Sequence, residues 1–384
     1  MIIWGAMVFS VLTIIFLLVF FRKQTKGWEL LIVVLVPFCF VGIAKLIVDY
    51  VPALDVEWWG GHVVKVIYYE DWDEETCWPT YDDEGNYTGE DCSYTYHPEE
   101  YWILDSNGDM TIINSSVYSR LHKKFGRPKK HFVDMGRSYD TNDGDMYWFK
   151  WDGREETFEP VITRKTYINK IIASSSCYSY PKVTDEEYEM YRPYEYPEIY
   201  SFYKRDYILG DAGSGTAKAQ QMLTYWNAKL GKKKEVQMMV LVFKNKSEQA
   251  GFIQEAYWQG GNKNEFIIAV GVNDANEIQW VRVISWTRVE ELKIDARNYV
   301  NQMKHQNKTF DVVSLIDWMR TEVDAQFVRL PFATFDFLEV EPPMWMVVVV
   351  YILTLIINVI VALWVICNQY RDNRSSFRRF RRRF

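Results

Sequence analysis

The sequence contains no Cys-x-x-Cys pair and no two histidines at helical spacing, so it lacks the ligand pattern of a zinc ribbon and of a thioredoxin-type redox site. Its histidines, His62, His97, His122, His131 and His305, are scattered. No Gly-x-Ser-x-Gly elbow surrounds Ser174, Ser175 and Ser176, which removes the usual signal for a serine hydrolase. The glycine-rich stretch Gly210 to Lys218 has no lysine directly after its last glycine, so it reads as a helix entry rather than a phosphate cradle. Met1 to Met7 carries no basic side chain and no small-residue cleavage site precedes Arg22, which argues for a retained first span over a secretory signal peptide.

Long apolar runs are present. Residues 1–21, 28–50 and 344–367 are each long enough at ~1.5 Å per residue to cross a ~30 Å hydrocarbon core. Pro37, Lys45 and Asp49 interrupt the second, and both charges lie near its end. Arg22, Lys23 and Lys26 fall in the loop 22–27, and an arginine-rich tail, 368–384, follows the third span. Basic flanks stay cytoplasmic, so the expected topology has the N-terminus and residues 51–342 extracytoplasmic and the C-terminus cytoplasmic, in a plasma or inner membrane. In the tail Arg378, Arg379, Arg381, Arg382 and Arg383 alternate with phenylalanine, a pattern suited to anionic lipid.

The net charge is −7 despite these basic segments, so the outer region is acidic, which argues against nucleic acid as a partner. Its short Tyr-, Trp-, Val- and Ile-rich runs, separated by Asp, Asn and Gly clusters, predict a β-rich domain over 51–177. Cys77 and Cys92 flank Pro79 and a turn around Glu84-Gly85-Asn86, so in an oxidising compartment a hairpin would bring them to bonding distance. A reducing compartment would leave both, with Cys177, as thiols. Residues 178–205, rich in Tyr, Pro and Glu, read as an ordered linker packed by its rings. From 206 to 341 the periodicity becomes helix, strand, helix, strand, strand, helix, helix, an α/β domain with helices covering a small sheet. In it, Gly231 is expected as a helix C-cap, and Thr287 with Glu290 as a capping box. The whole is thus an α+β membrane protein with three transmembrane helices.

Several clusters invite a chemical reading. Asp105, Asn107 and Asp109 alternate like a calcium loop, but Met110 and Ser116 occupy the positions that need glycine and glutamate, so a hairpin turn is expected. Asp140, Asn142, Asp143 and Asp145 are denser in oxygen and form the candidate site for calcium or another divalent ion, against a solvated turn. No other cofactor is expected. His97 beside Glu99 and Glu100 reads either as an acid/base group or as ordinary polar surface around Pro98.

Asp211-Ala212-Gly213 before a helix, then Leu230, Gln237 opening an apolar strand, Trp258 with Gly260-Gly261, and the strand and turn from Glu265 to Asp274 together resemble the TPM-domain family over about residues 206–325. Ser214-Gly215-Thr216 departs from its pattern. That family is an α/β domain of thylakoid-lumen, bacterial extracytoplasmic and animal membrane proteins. The resemblance implies a module associated with membrane complexes, assisting assembly or modulating a receptor in some members, with phosphatase activity proposed for others. The expected function is therefore a membrane-anchored interaction module whose partners are the bilayer and a membrane or extracytoplasmic protein, with a homo-oligomer as one form. One alternative is a metal-assisted, phosphatase-like hydrolase using Asp211 and Asp274. Another is a subunit of an oligomeric channel or transporter, which the near absence of intramembrane charge disfavours.

Overall fold

The computed structural model describes residues 2–21, 25–126, 129–131, 146–200, 202, 204–306 and 309–381, with the backbone alone for 2, 129–131 and 371–381. The chain divides into two compact units, one of residues 1–55, 166–180 and 332–384 and one of residues 56–165 and 181–331.

The first unit holds the helices α1 (Val8–Phe21), α2 (Gly27–Tyr50) and α9 (Met344–Arg381). The segments Ile3–Phe21, Gly27–Ala53 and Met344–Tyr370 are long and apolar enough to cross a membrane. Ile3, Ala6, Val41, Ala44, Val48 and Val350 pack together in one cluster, and Leu17, Val33, Val361 and Val365 in another. Large apolar side chains such as Phe20, Leu46 and Ile360 face outward, as lipid contact requires. The buried Glu29 accepts from the backbone N–H of Lys26 at 2.9 Å and from Asn368 and Gln369 at 3.3 Å, so its carboxylate is satisfied inside the bundle. Asn358 donates to Thr354 O in its own helix rather than to another span. The segments 166–180 and 332–341 are tied to each other and to Asp55: Tyr167 and Asn169 donate to Asp55 at 2.7 and 2.8 Å, and Tyr178 meets Phe335.

The second unit contains two larger sheets. In the first, β1 (Leu54–Tyr69) pairs antiparallel with β4 (Glu100–Asp105) and β7 (Met146–Lys150), β4 pairs with β5 (Met110–Ile113), β7 pairs with β6 (Lys129–His131), and β8 (Pro160–Ile168) also joins β1. The turn between β4 and β5 is closed by Asp105, which accepts from the N–H groups of Asn107 and Asp109, so that cluster is a turn, as its sequence implied. The helix α3 (Ser115–Phe125), capped by Asn114 accepting from Val117 N–H, places Leu121 into a core with Val66, Ile103 and Phe149. A separate two-stranded ribbon of β2 (Trp72–Tyr81) and β3 (Tyr87–His97) leaves this sheet.

The second sheet is β11 (Ile208–Leu209), β12 (Gln237–Lys244), β13 (Glu265–Val272) and β14 (Ile278–Ser285), the first three parallel and the last antiparallel. Every residue of β12 except Lys244, and all of β13, is buried, which is why both read as continuous apolar runs. The helices α5 (Thr216–Lys234), α6 (Gln249–Tyr257), α7 (Glu290–Gln306) and α8 (Val312–Gln326) pack on this sheet and on one another. Between the sheets run α4 (Asp185–Tyr191) and the small pair β9 (Ile199–Tyr200) and β10 (Lys204–Arg205). Tyr196 stacks on Trp258 at 4.2 Å and Tyr194 donates to Val242 O at 2.6 Å, so the tyrosines of this stretch do pack on their neighbours.

Two local expectations fail. Gly231 is not a C-cap: α5 continues to Lys234 and ends on Glu235 in the left-handed region. The glycine is needed because a Cβ there would lie 2.0 Å from Gly60 O of β1, and one on Gly60 would lie 2.1 Å from Asn227 O. This Gly60–Gly231 contact is where the strand lies against the helix. Gly231→Ala is expected to lower the stability of the second unit by about 1–3 kcal/mol through overpacking. The measurement is the thermal transition of the purified full chain in detergent, and an unchanged transition would show that the contact relaxes freely. The capping box at Thr287 also does not form. Its hydroxyl donates to Val328 O and accepts from Val289 N–H, and α7 starts at Glu290 without it.

Candidate functional site

Short strands normally survive in water only by burying one face. The β2–β3 ribbon does not: along both strands every residue is exposed or partly exposed. Two local devices hold it. Cys77 and Cys92 are directly opposed in the register, 4.0 Å apart at Cα, and are joined by a disulfide. At the tip Asp82 accepts from the N–H groups of Glu84 and Asn86 at 3.0 and 2.8 Å, and these bonds to Asn86 hold its carboxyl below the usual range. Gly85, at φ 84°, takes the left-handed turn position.

The ribbon's surface is unusual in two respects. From Glu70 to Glu100 there are twelve carboxylates and no lysine or arginine. Large rings stand in solvent on both faces: Trp78 is 55% exposed on one, and Tyr94 and Tyr96 are 65% and 60% exposed on the other. Tyr94 donates to Glu75 at 2.6 Å and Tyr96 to Asp71 at 3.2 Å, so aromatic and acidic groups are interleaved.

At its base the ribbon meets β1 and β4 beside a cavity of about 360 Å³ lined by Tyr69, Glu70, Trp72, His97, Pro98, Glu100, Trp102 and Met110. Trp72 and His97, opposed in the register, stack at 4.4 Å, and the His97 ring nitrogen lies 2.9 Å from Glu74. Trp102 donates to Glu100 at 2.9 Å. Alongside, Tyr68, Tyr101 and Tyr118 form a ring cluster, and burial, then Glu99, pushes the Tyr101 phenol up to about 12. Rings and carboxylates converge on this cavity, and both kinds of group attract cations.

Of the residues singled out by sequence, the cysteine pair lies in the ribbon and His97 and Glu100 line the cavity, while the others fall elsewhere. Asp140, Asn142, Asp143 and Asp145 lie outside the described residues. Asp211 and Asp274 follow the carboxyl ends of β11 and β13, the end where parallel sheets carry ligands. Asp211 accepts from Gly213 N–H at 3.0 Å, and Asp274 accepts from Asn245 at 2.8 Å with Lys244 at 3.9 Å, so both already have local partners. Among the described residues the one group with metal-type ligands in mutual reach is Glu75, Cys77 and Cys92, and the disulfide removes both thiolates. Cys177 is free and exposed. The backbone of the basic tail is helical to Arg381, while Arg382 and Arg383 lie outside the described residues.

A second polar cluster centres on the buried Arg205 and Glu265. Arg205 donates to Gln237 and to Pro197 O, and its Nη2 lies 3.9 Å from Glu265. Glu265 accepts from Asn262 N–H at 2.9 Å and Tyr196 at 3.1 Å, and burial raises its carboxyl although Arg205 opposes this. Arg205 also lies over the Trp58 ring, 6.0 Å from its centroid.

Sequence reading missed Tyr69, Trp72 and Trp102. The signal was available in the gap between Lys65 and Arg120, which contains no lysine or arginine. No protein-family model, no curated protein and no solved structure matches this chain.

Proposed function

We propose that this chain is a membrane-anchored module that presents its second unit outside the cytoplasm and there binds another membrane or surface component. The observation that carries this reading is the β2–β3 ribbon, which spends a disulfide and a designed turn on holding exposed rings that contribute to no core. Rings placed so belong to recognition surfaces. The orientation rests on the basic loop after the first span and the arginines after the third. A disulfide in a surface ribbon fits an oxidising compartment. The resemblance to the TPM-domain family belongs to the same proposal, supported by the order of helices and strands from α5 to β14.

The test is affinity capture from the native membrane in mild detergent, comparing the full chain with a variant in which residues 71–98 are replaced by a short turn. A stoichiometric partner present with the full chain and absent with the variant is expected. Equal recovery with both would remove the ribbon from the interface, and a solitary chain carrying a divalent metal would favour the hydrolase instead.

A further inference from the structure

We infer that the ribbon and the cavity at its base receive a lysine- or arginine-rich extended segment of a partner protein, one basic side chain of which enters between Tyr69, Trp72 and Trp102. The inference rests on the interaction-module reading and adds the chemistry of the partner. Three observations carry it. The first is charge: the ribbon's sequence holds a dense run of carboxylates and no lysine or arginine, so a cationic partner is complementary along its length. The second is the shape and lining of the cavity. Its aromatic walls, with Glu70 and Glu100 also in the lining, form the setting in which an ammonium or guanidinium group gains both ring-face attraction and a carboxylate. The third is exposure. Charge alone would be enough to protect open strand edges from aggregation, but that need does not account for tyrosine and tryptophan standing in solvent on both faces.

An acidic peptide is repelled by this surface, and an anionic membrane likewise. A neutral apolar helix finds no groove here, because the cavity is small and its lining includes carboxylates. An extended basic segment satisfies all three observations, lying along the ribbon while its side chains alternate between rings and carboxylates.

The experiment uses the full chain in nanodiscs of neutral lipid and a fluorescent arginine–lysine peptide, with glutamate-rich and uncharged peptides of equal length as controls. Binding of the basic peptide alone is expected, weakening as salt is raised. Trp102→Ala and Glu100→Gln are each expected to weaken it about tenfold, whereas Asp83→Asn at the ribbon tip changes it much less. Glu100→Gln serves as the second arm should Trp102→Ala disturb the sheet, and the thermal transition of each variant checks this. Equal weakening by all three variants would overturn the cavity as the receiving site and leave only diffuse attraction. If the basic peptide does not bind while the native partner is still captured through residues 71–98, the partner chemistry is wrong and the interaction reading stands. If neither binds, both fall.

Discussion

Arg205→Met is expected to destabilise the second unit by about 3–5 kcal/mol, because it leaves the Glu265 carboxyl buried without its cation. The loss should depend on pH, and the sign follows from the carboxyl itself. Burial raises Glu265 above its value in the unfolded chain, so the folded state holds that proton more tightly. Stability therefore falls as pH rises from the ordinary carboxylate range through the raised folded value. Arg205 is the strongest influence opposing the rise, so its removal moves the folded value higher and extends the falling window upward. The gap between variant and wild type should then be wider at about pH 8 than at about pH 5. Denaturant unfolding of the full chain at both values, with hydrogen exchange read on residues 237–244 and 265–272, measures it. A loss below about 1 kcal/mol at both would show that Asn262 and Tyr196 satisfy Glu265 alone. Combining Arg205→Met with Glu265→Leu should recover most of the stability, but not all, since Gln237, Asn262 and Tyr196 lose their partners.

What the sequence discloses about this fold depends on how local each cause is. The strands Gln237–Lys244 and Glu265–Val272 stand out in the sequence as apolar runs, because burial on both faces leaves a direct mark on composition. The three spans are equally plain. The capping signals show the opposite. Thr184 with Glu187 forms a true capping box that opens α4 inside what reads as a linker, whereas Thr287 with Glu290 has the same spacing and forms none. The difference lies forty-one residues away, where Val328 O takes the Thr287 hydroxyl. Gly231 fails for the same reason. Near a helix end glycine suggests a cap, and only the distant Gly60 backbone explains it.

The candidate site divides along the same line. Opposed cysteines around a turn could be read directly, because a hairpin is a local structure. The cavity could not, since Trp72, His97 and Trp102 come together only when β2, β3 and β4 are placed in space. The carboxylates at Asp211 and Asp274 drew notice as isolated letters, and in the fold each is engaged by its own surroundings.

The paired change Cys77→Ser with Cys92→Ser is expected to remove about 3 kcal/mol from the ribbon, the value for closing a loop of roughly this length. Because neither strand contributes a buried residue, the loss should stay local. The ribbon would open while the six-stranded sheet, whose core is Val66, Ile103, Leu121 and Phe149, keeps its own transition. Limited proteolysis should therefore cut the variant between Trp72 and His97 at a protease concentration that leaves the wild type whole, with the thermal transition of the full chain little changed. Basic-peptide binding should weaken in step, since Trp72 and His97 reach the cavity only while the two strands are paired. A variant that resists cleavage would show that the Asp82 turn and the Trp72–His97 stack hold the ribbon unaided. A variant that unfolds as a whole would show that the ribbon is part of the core cooperativity, and its exposed rings would then have to be explained by packing that forms only in assembly.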